Sequence, residues 1–107
     1  MPETDALIAG LRGQCGGPRD GALLRFSLGR ALLAASRFSE AVAELELALS
    51  FDAKYSAAWK ALGQAHVAGG DESAAIAALE RGIEVATARG DTQVAREMAV
   101  YLRRLKR

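Results

Sequence analysis

Cysteine is almost missing from this sequence: Cys15 is the single one. It has no partner for an internal disulfide, which excludes a disulfide-stapled scaffold and fits a reducing compartment. Its glycine neighbours supply neither a base nor a cation, so no nucleophilic role is expected. Histidine is equally scarce. His66 stands alone, and without a Cys/His cluster no metal site is expected. Charge of one sign is lacking as well, since 14 basic against 13 acidic residues leave a net charge of +1. That balance argues against a nucleic-acid binder or a polybasic membrane binder. No stretch approaches the roughly 18 consecutive apolar residues of a transmembrane helix, and Ala6–Ala9 is too short a run for a secretory signal. Alternating apolar patterns are absent, so no strands are expected. The glycine turns Gly69-Gly70-Asp71 and Gly16-Gly17-Pro18 lack the Gly-Lys-Ser/Thr of a phosphate loop. No acid–base or nucleophile set can be assembled, so neither catalysis nor a cofactor is expected. These absences favour a cytoplasmic location.

Half of the sequence is apolar, and much of that is alanine. Such a chain packs helices closely rather than around large side chains. Its 107 residues suit one domain, 1–107, with a modest core. A short helix over residues 4–13, capped by Thr4 or Asp5, carries Leu7, Ile8 and Leu11. Gly13, Gly16, Gly17 and Pro18 then break it. A second helix starts at Asp20 or Gly21 and runs to about Ala35, and a third, capped by Ser39, covers Glu40 to Ser50. The spacing predicts further helices over Ser56–Ala68 and Glu72 to Ala88, the latter capped by Asp71. Gly90 ends that helix and Asp91 caps the last one. On the last helix Val94, Met98, Tyr101, Leu102 and Leu105 recur at helical spacing. The cations Arg103, Arg104, Lys106 and Arg107 close the chain, where they complement the helix dipole.

One stripe is written twice. Trp59, Leu62, Gly63 and His66 fall at i, i+3, i+4 and i+7, and Arg25, Leu28, Gly29 and Leu32 show the same spacing earlier in the chain. The two copies stand about 34 residues apart, a period of stacked helix–turn–helix units. With residues 22–55 laid over 56–89, Ser36 falls on Gly70, Ala41 on Ala75, Leu45 on Leu79, Ala48 on Gly82 and Leu49 on Ile83. This pattern resembles the tetratricopeptide repeat, whose helix–turn–helix unit has that length. The resemblance implies an all-α fold of antiparallel helix–turn–helix repeats, an α-solenoid with a C-terminal capping helix. Residues 1–19 would form an N-terminal cap helix and linker, 22–55 and 56–89 two repeats, and 91–107 the cap. Gly29 and Gly63 are expected where the two helices of a hairpin approach each other, with Ala41 and Ala75 as small residues facing them. Three departures stand out, one being His66 where the family has an aromatic. Ala53 and Thr87 occupy the position of the usual proline, so the joints between repeats are expected to be less sharply broken. Gln93, Arg96 and Glu97 replace the Trp, Leu and Gly that would begin a third repeat.

Members of this family bind peptides or proteins in the concave face made by the first helix of each hairpin. By position that face holds Phe26, Arg30, Leu33, Lys60, Gln64, Val67, Val94, Met98 and Tyr101, a mildly basic groove over an apolar floor. An acidic or carboxylate-bearing peptide is one ligand this composition suits; the alternative is that Arg30 and Lys60 are ordinary solvated charges on an open face. The clamp that some members use for a C-terminal carboxylate is not expected, because only Arg30 occupies one of its positions with a suitable side chain. His66 lies on the packed stripe and is read as a semi-buried histidine. The implied function is a non-catalytic interaction module with a protein or peptide partner. The alternative is an assembly subunit that self-associates through its terminal helices, present as a monomer or weak homodimer.

Overall fold

The structure, a computed structural model, describes residues 2–107. Six helices follow one another: α1 (Pro2–Arg12), α2 (Ala22–Ala34), α3 (Phe38–Phe51), α4 (Ser56–Ala68), α5 (Glu72–Arg89) and α6 (Thr92–Leu105). Among the described residues there is no strand, and no helix is long and apolar enough to cross a membrane. Each helix packs chiefly on its neighbours in sequence, giving an elongated stack of 38 × 27 × 19 Å. On one side α2 meets α4 and α4 meets α6.

The repeated small residues explain the hairpins. A Cβ placed on Gly29 would lie 2.6 Å from Cγ of Leu45, and one on Gly63 would lie 2.6 Å from Cδ2 of Leu79. Both leucines are wholly buried, so α3 and α5 insert a leucine into the notch that glycine leaves in α2 and α4. Ala41 and Ala75 are wholly buried at matching places. Leu28, Leu32, Leu45 and Leu62 belong to one continuous core, to which Ile8 of α1 contributes. A second cluster joins Leu79 and Ala86 to Met98 of α6.

Three helix starts differ from the sequence expectation, one being α6, where Asp91 holds the N-cap position without a side-chain capping hydrogen bond. α1 begins at Pro2, because proline is preorganised for the first helical position. Thr4 and Asp5 then lie inside the helix rather than capping it. α3 begins at Phe38 behind Arg37, so Ser39 caps nothing; Arg37 instead holds Glu40 through two hydrogen bonds of 2.6 and 2.8 Å. Asp71 does cap α5, accepting from the backbone N–H of Ala74 at 3.1 Å. The first joint between hairpins is also sharper than the missing proline implied. Asp52 leaves the helix with extended backbone, its carboxylate accepts from the N–H of Lys54 at 3.0 Å, and four residues suffice before α4. The carbonyl of Ala53, at the proline position, accepts the indole N–H of Trp59 at 2.8 Å. At the second joint α5 runs through Thr87 to Arg89, and Gly90 stops it in the left-handed conformation, φ 80°.

Candidate functional site

The first helices of the hairpins and the last helix, α2, α4 and α6, share one side of the stack. Between them lies an open cleft of about 300 Å³ lined by Arg30, Ala57, Lys60, Ala61, Gln64, Val94 and Glu97. A second cleft of about 360 Å³ is lined by Asp52, Tyr55, Ser56, Ala57, Arg89, Asp91 and Val94. Ala57 and Val94 border both, so the two form one groove along the starts of α4 and α6. Small and short apolar side chains make its floor, because bulkier ones at 57, 61 and 94 would fill it.

Charge is arranged locally. The ammonium of Lys60 is 3.2 Å from a carboxylate oxygen of Glu97, so Lys60 is already paired and the groove is less basic than the sequence implied. Arg30 is exposed and makes no ion pair among the described residues. Its guanidinium carbon sits 5.7 Å from the ring centroid of Phe26, within cation–π range. The Phe26 ring in turn lies 4.9 Å from that of Tyr55, tilted by 36°. Burial first, and then the Asp52 carboxylate, push the Tyr55 phenol above its ordinary pKa, so it stays neutral at physiological pH. Asp91 accepts a hydrogen bond from the hydroxyl of Ser56 at 2.7 Å and lies 3.6 Å from Arg89.

Of the expected groove residues, Arg30, Lys60, Gln64 and Val94 line the cleft. Phe26 borders it through Arg30 and Tyr55. Leu33 and Val67 are half-buried and line neither cleft, with Leu33 packed against the main core. Met98 requires a correction: it is 0% exposed. A Cβ on Gly82 would come within 2.6 Å of the Met98 sulfur, so Met98 fills the notch of α5 as Leu45 fills that of α2. Tyr101 packs half-buried on the same cluster. One residue that lines the cleft, Glu97, is not among those expected from the sequence. Glu97 was read only as a replaced glycine, although its place three residues after Val94 puts it on the same face. Leu23 stands three residues before Phe26 and seven before Arg30, at the register position of Ala57; it lines neither cleft and is 68% exposed. Its helical spacing was the available signal.

Elsewhere, His66 lines a cleft of about 340 Å³ near the hairpin turns, with Phe38, Val42 and Asp71 among its neighbours. Cys15 is half-buried, its thiol 3.6 Å from the carbonyl of Leu11. Among the described residues no three His, Cys, Asp or Glu side chains are grouped to hold a metal ion.

A sequence model of the tetratricopeptide repeat matches residues 32–99. The chain belongs to the tetratricopeptide repeat family. A TPR repeat-containing protein of Pseudomonas aeruginosa is 43% identical over 101 residues, which span 94% of this chain and 96% of that one. The solution structure of a protein from Bordetella parapertussis matches with a TM-score of 0.79 at 42% identity, covering 96% of this chain and 86% of that one. Tetratricopeptide repeats are in general protein-interaction modules, typically without catalysis. In tetratricopeptide terms, α2 with α3 and α4 with α5 are paired hairpin helices, and α6 is a first helix in which Gln93 and Arg96 are exposed and Glu97 lines the groove.

Proposed function

We propose that this chain is a non-catalytic interaction module that receives a peptide or protein segment in the groove of α2, α4 and α6. The observation that carries the reading is the joint presence, on one open face, of an unpaired guanidinium at Arg30 and an apolar strip. That strip consists of Ala57, Ala61 and Val94 on the cleft floor, with Leu23, 68% exposed, at the register position of Ala57 on α2. Apolar side chains left in water beside a free cation favour a segment that presents an apolar residue next to a carboxylate. Lys60 and Glu97 neutralise each other and set the register of a partner rather than its net charge.

A displayed peptide library selected on the intact protein supplies ligands for the test, followed by NMR titration. The expected result is enrichment of apolar–acidic motifs, with shifts at Leu23, Arg30, Gln64 and Val94. Arg30→Glu is expected to weaken binding roughly 10-fold or more, the scale of about 1–2 kcal/mol for a solvent-bordered charge. Ligands that shift only the outer faces of α3 and α5 overturn the groove assignment.

A further inference from the structure

The polar side chains lining the smaller cleft are Arg30, Lys60, Gln64 and Glu97. None of these side chains makes a hydrogen bond to another group among the described residues. The neighbouring cleft is different. There the Asp52 carboxylate accepts from the N–H of Lys54, Ser56 donates to Asp91, and Arg89 donates to the carbonyl of Lys54.

The ion pairs show the same contrast. Those that lie away from the groove are each closed by a hydrogen bond. Lys60 and Glu97 approach to 3.2 Å without one, although Lys106 and Glu80, also 3.2 Å apart, are hydrogen-bonded. Their side chains are 29% and 40% exposed. A partly exposed pair is screened by water and salt, so little is lost when it opens. An ammonium has three donors and a carboxylate two acceptor oxygens, and here both keep that capacity facing the cleft. The charges are also ordered across the groove. Arg30 stands on α2, Lys60 on α4 and Glu97 on α6, so a segment crossing the helices meets cation, cation and anion in turn.

We propose that Lys60 and Glu97 form an exchangeable pair, opened by a bound segment that carries charges of both signs. An acidic side chain of the segment takes Lys60, within the field of Arg30, and a basic side chain takes Glu97. The proposal rests on the groove reading and narrows it: the partner is a peptide segment with an acid toward α2 and a base toward α6. Two pairs between the molecules then replace one internal pair, and neither groove ion is left uncovered as water leaves. A purely acidic segment captures Lys60 but leaves Glu97 unpaired beside it. Axes of packed helices lie roughly 8–10 Å apart, and an extended chain advances about 3.3 Å per residue. The acid and the base therefore stand about three residues apart.

Blocked octapeptides on a leucine–serine frame are the probe, carrying one Asp and one Lys at every spacing and in both orders. Matched peptides have Asn in place of Asp or Gln in place of Lys. Affinities come from fluorescence anisotropy, and amide shifts from NMR on the full chain. At the best spacing the doubly charged peptide binds the parent about 5-fold more tightly than either singly charged one, the scale of one partly exposed ion pair. Glu97→Gln abolishes the advantage that Lys confers, and it binds the Asp-only peptide more tightly than the parent does, because Lys60 is released. Lys60→Gln gives the mirror result, a gain for the Lys-only peptide. Circular dichroism melting checks that both variants fold as the parent does. The exchange is refuted, with the groove reading intact, if peptides shift Arg30, Gln64 and Val94 yet the doubly charged ones bind no tighter than the singly charged. It is refuted in the same way if Glu97→Gln leaves the affinity for the Asp-only peptide unchanged. Shifts confined to the outer faces of α3 and α5 overturn both readings. So does a failure of every peptide to bind at about 1 mM, the range of the weakest specific contacts.

Discussion

Ser36 holds a left-handed backbone conformation, φ 60°, in the turn between α2 and α3. Its counterpart in the next repeat, Gly70, has φ 85° in the turn between α4 and α5. An L-residue in this region costs about 1–2 kcal/mol, which glycine avoids. Ser36→Gly is expected to raise stability by about 0.5–1 kcal/mol after the extra freedom of the unfolded chain is subtracted. Gly70→Ala should lower it by about 1 kcal/mol or more. Urea unfolding of both variants checks the pair, and equal effects at the two turns would contradict it. At this scale the sequence was readable wherever small residues recurred. Gly29 and Gly63 occupy the notches assigned to them, and Ser36 takes the conformation of the glycine it aligns with. Met98 was misplaced for a physical reason. Its position on α6 faces the groove by register alone, but Gly82 on α5 opens a notch deep enough to take its side chain, and only packing reveals that.

At the scale of elements, the two hairpins reach one geometry by different chemistry. Trp59 packs on Gly82 and bonds to Ala53. At the same place in the first hairpin Arg25 grips Asp20 with two hydrogen bonds of 2.9 Å and Glu44 with a third of 2.9 Å. Glu44 aligns with Ala78, so cation and counter-charge have replaced aromatic and methyl together. The stripe containing Arg25 was legible as a copy of the tryptophan stripe. Its ion pairs were not, since they join side chains whose separations in sequence, 5 and 19 residues, follow no helical period. The link anchors the loop before α2 onto α3. Arg25→Ala leaves the mostly buried Glu44 unpaired and is expected to cost about 1–2 kcal/mol, a buried-pair penalty discounted for partial exposure. The hydrogen bonds from Arg25 hold the Asp20 carboxyl well below the usual carboxylate range. A depressed native pKa adds stability above the unfolded value of about 4 and loses it as pH falls below that value. Denaturant midpoints measured between pH 7 and pH 2 should therefore drop more steeply for the parent than for Arg25→Ala. Parallel curves would show that the link contributes nothing. Element ends were less legible than element identities. Pro2 and Arg37 start α1 and α3 through first-turn geometry and a local ion pair, which compete with the capping residues the pattern favoured.

For the whole molecule, the repeat interval was enough to place which helices share a side, and so where a groove must run. It did not reveal how the charges in that groove settle. Lys60 and Glu97 lie on different helices, and their pairing depends on how α4 and α6 are spaced. The same spacing rests on a contact that the periodicity never signalled. The Ser56 hydroxyl, nearly wholly buried, donates to Asp91 across 35 residues of sequence, and fastens the beginning of α4 to the residue that opens α6. Phe26 against Tyr55 fastens α2 at the same end. Apart from Lys60 with Glu97, no hydrogen bond or ion pair among the described residues joins these helices further along. Side chains thus cross-link the three helices at one end, which serves as their pivot. On the groove reading proposed above, a bound segment meets a fixed width there. Ser56→Ala is expected to cost about 1 kcal/mol, the worth of one hydrogen bond, and to spread slow motion, seen by NMR relaxation dispersion, from the far ends to the whole of α4 and α6. If motion stays confined as in the parent, the pivot lies elsewhere.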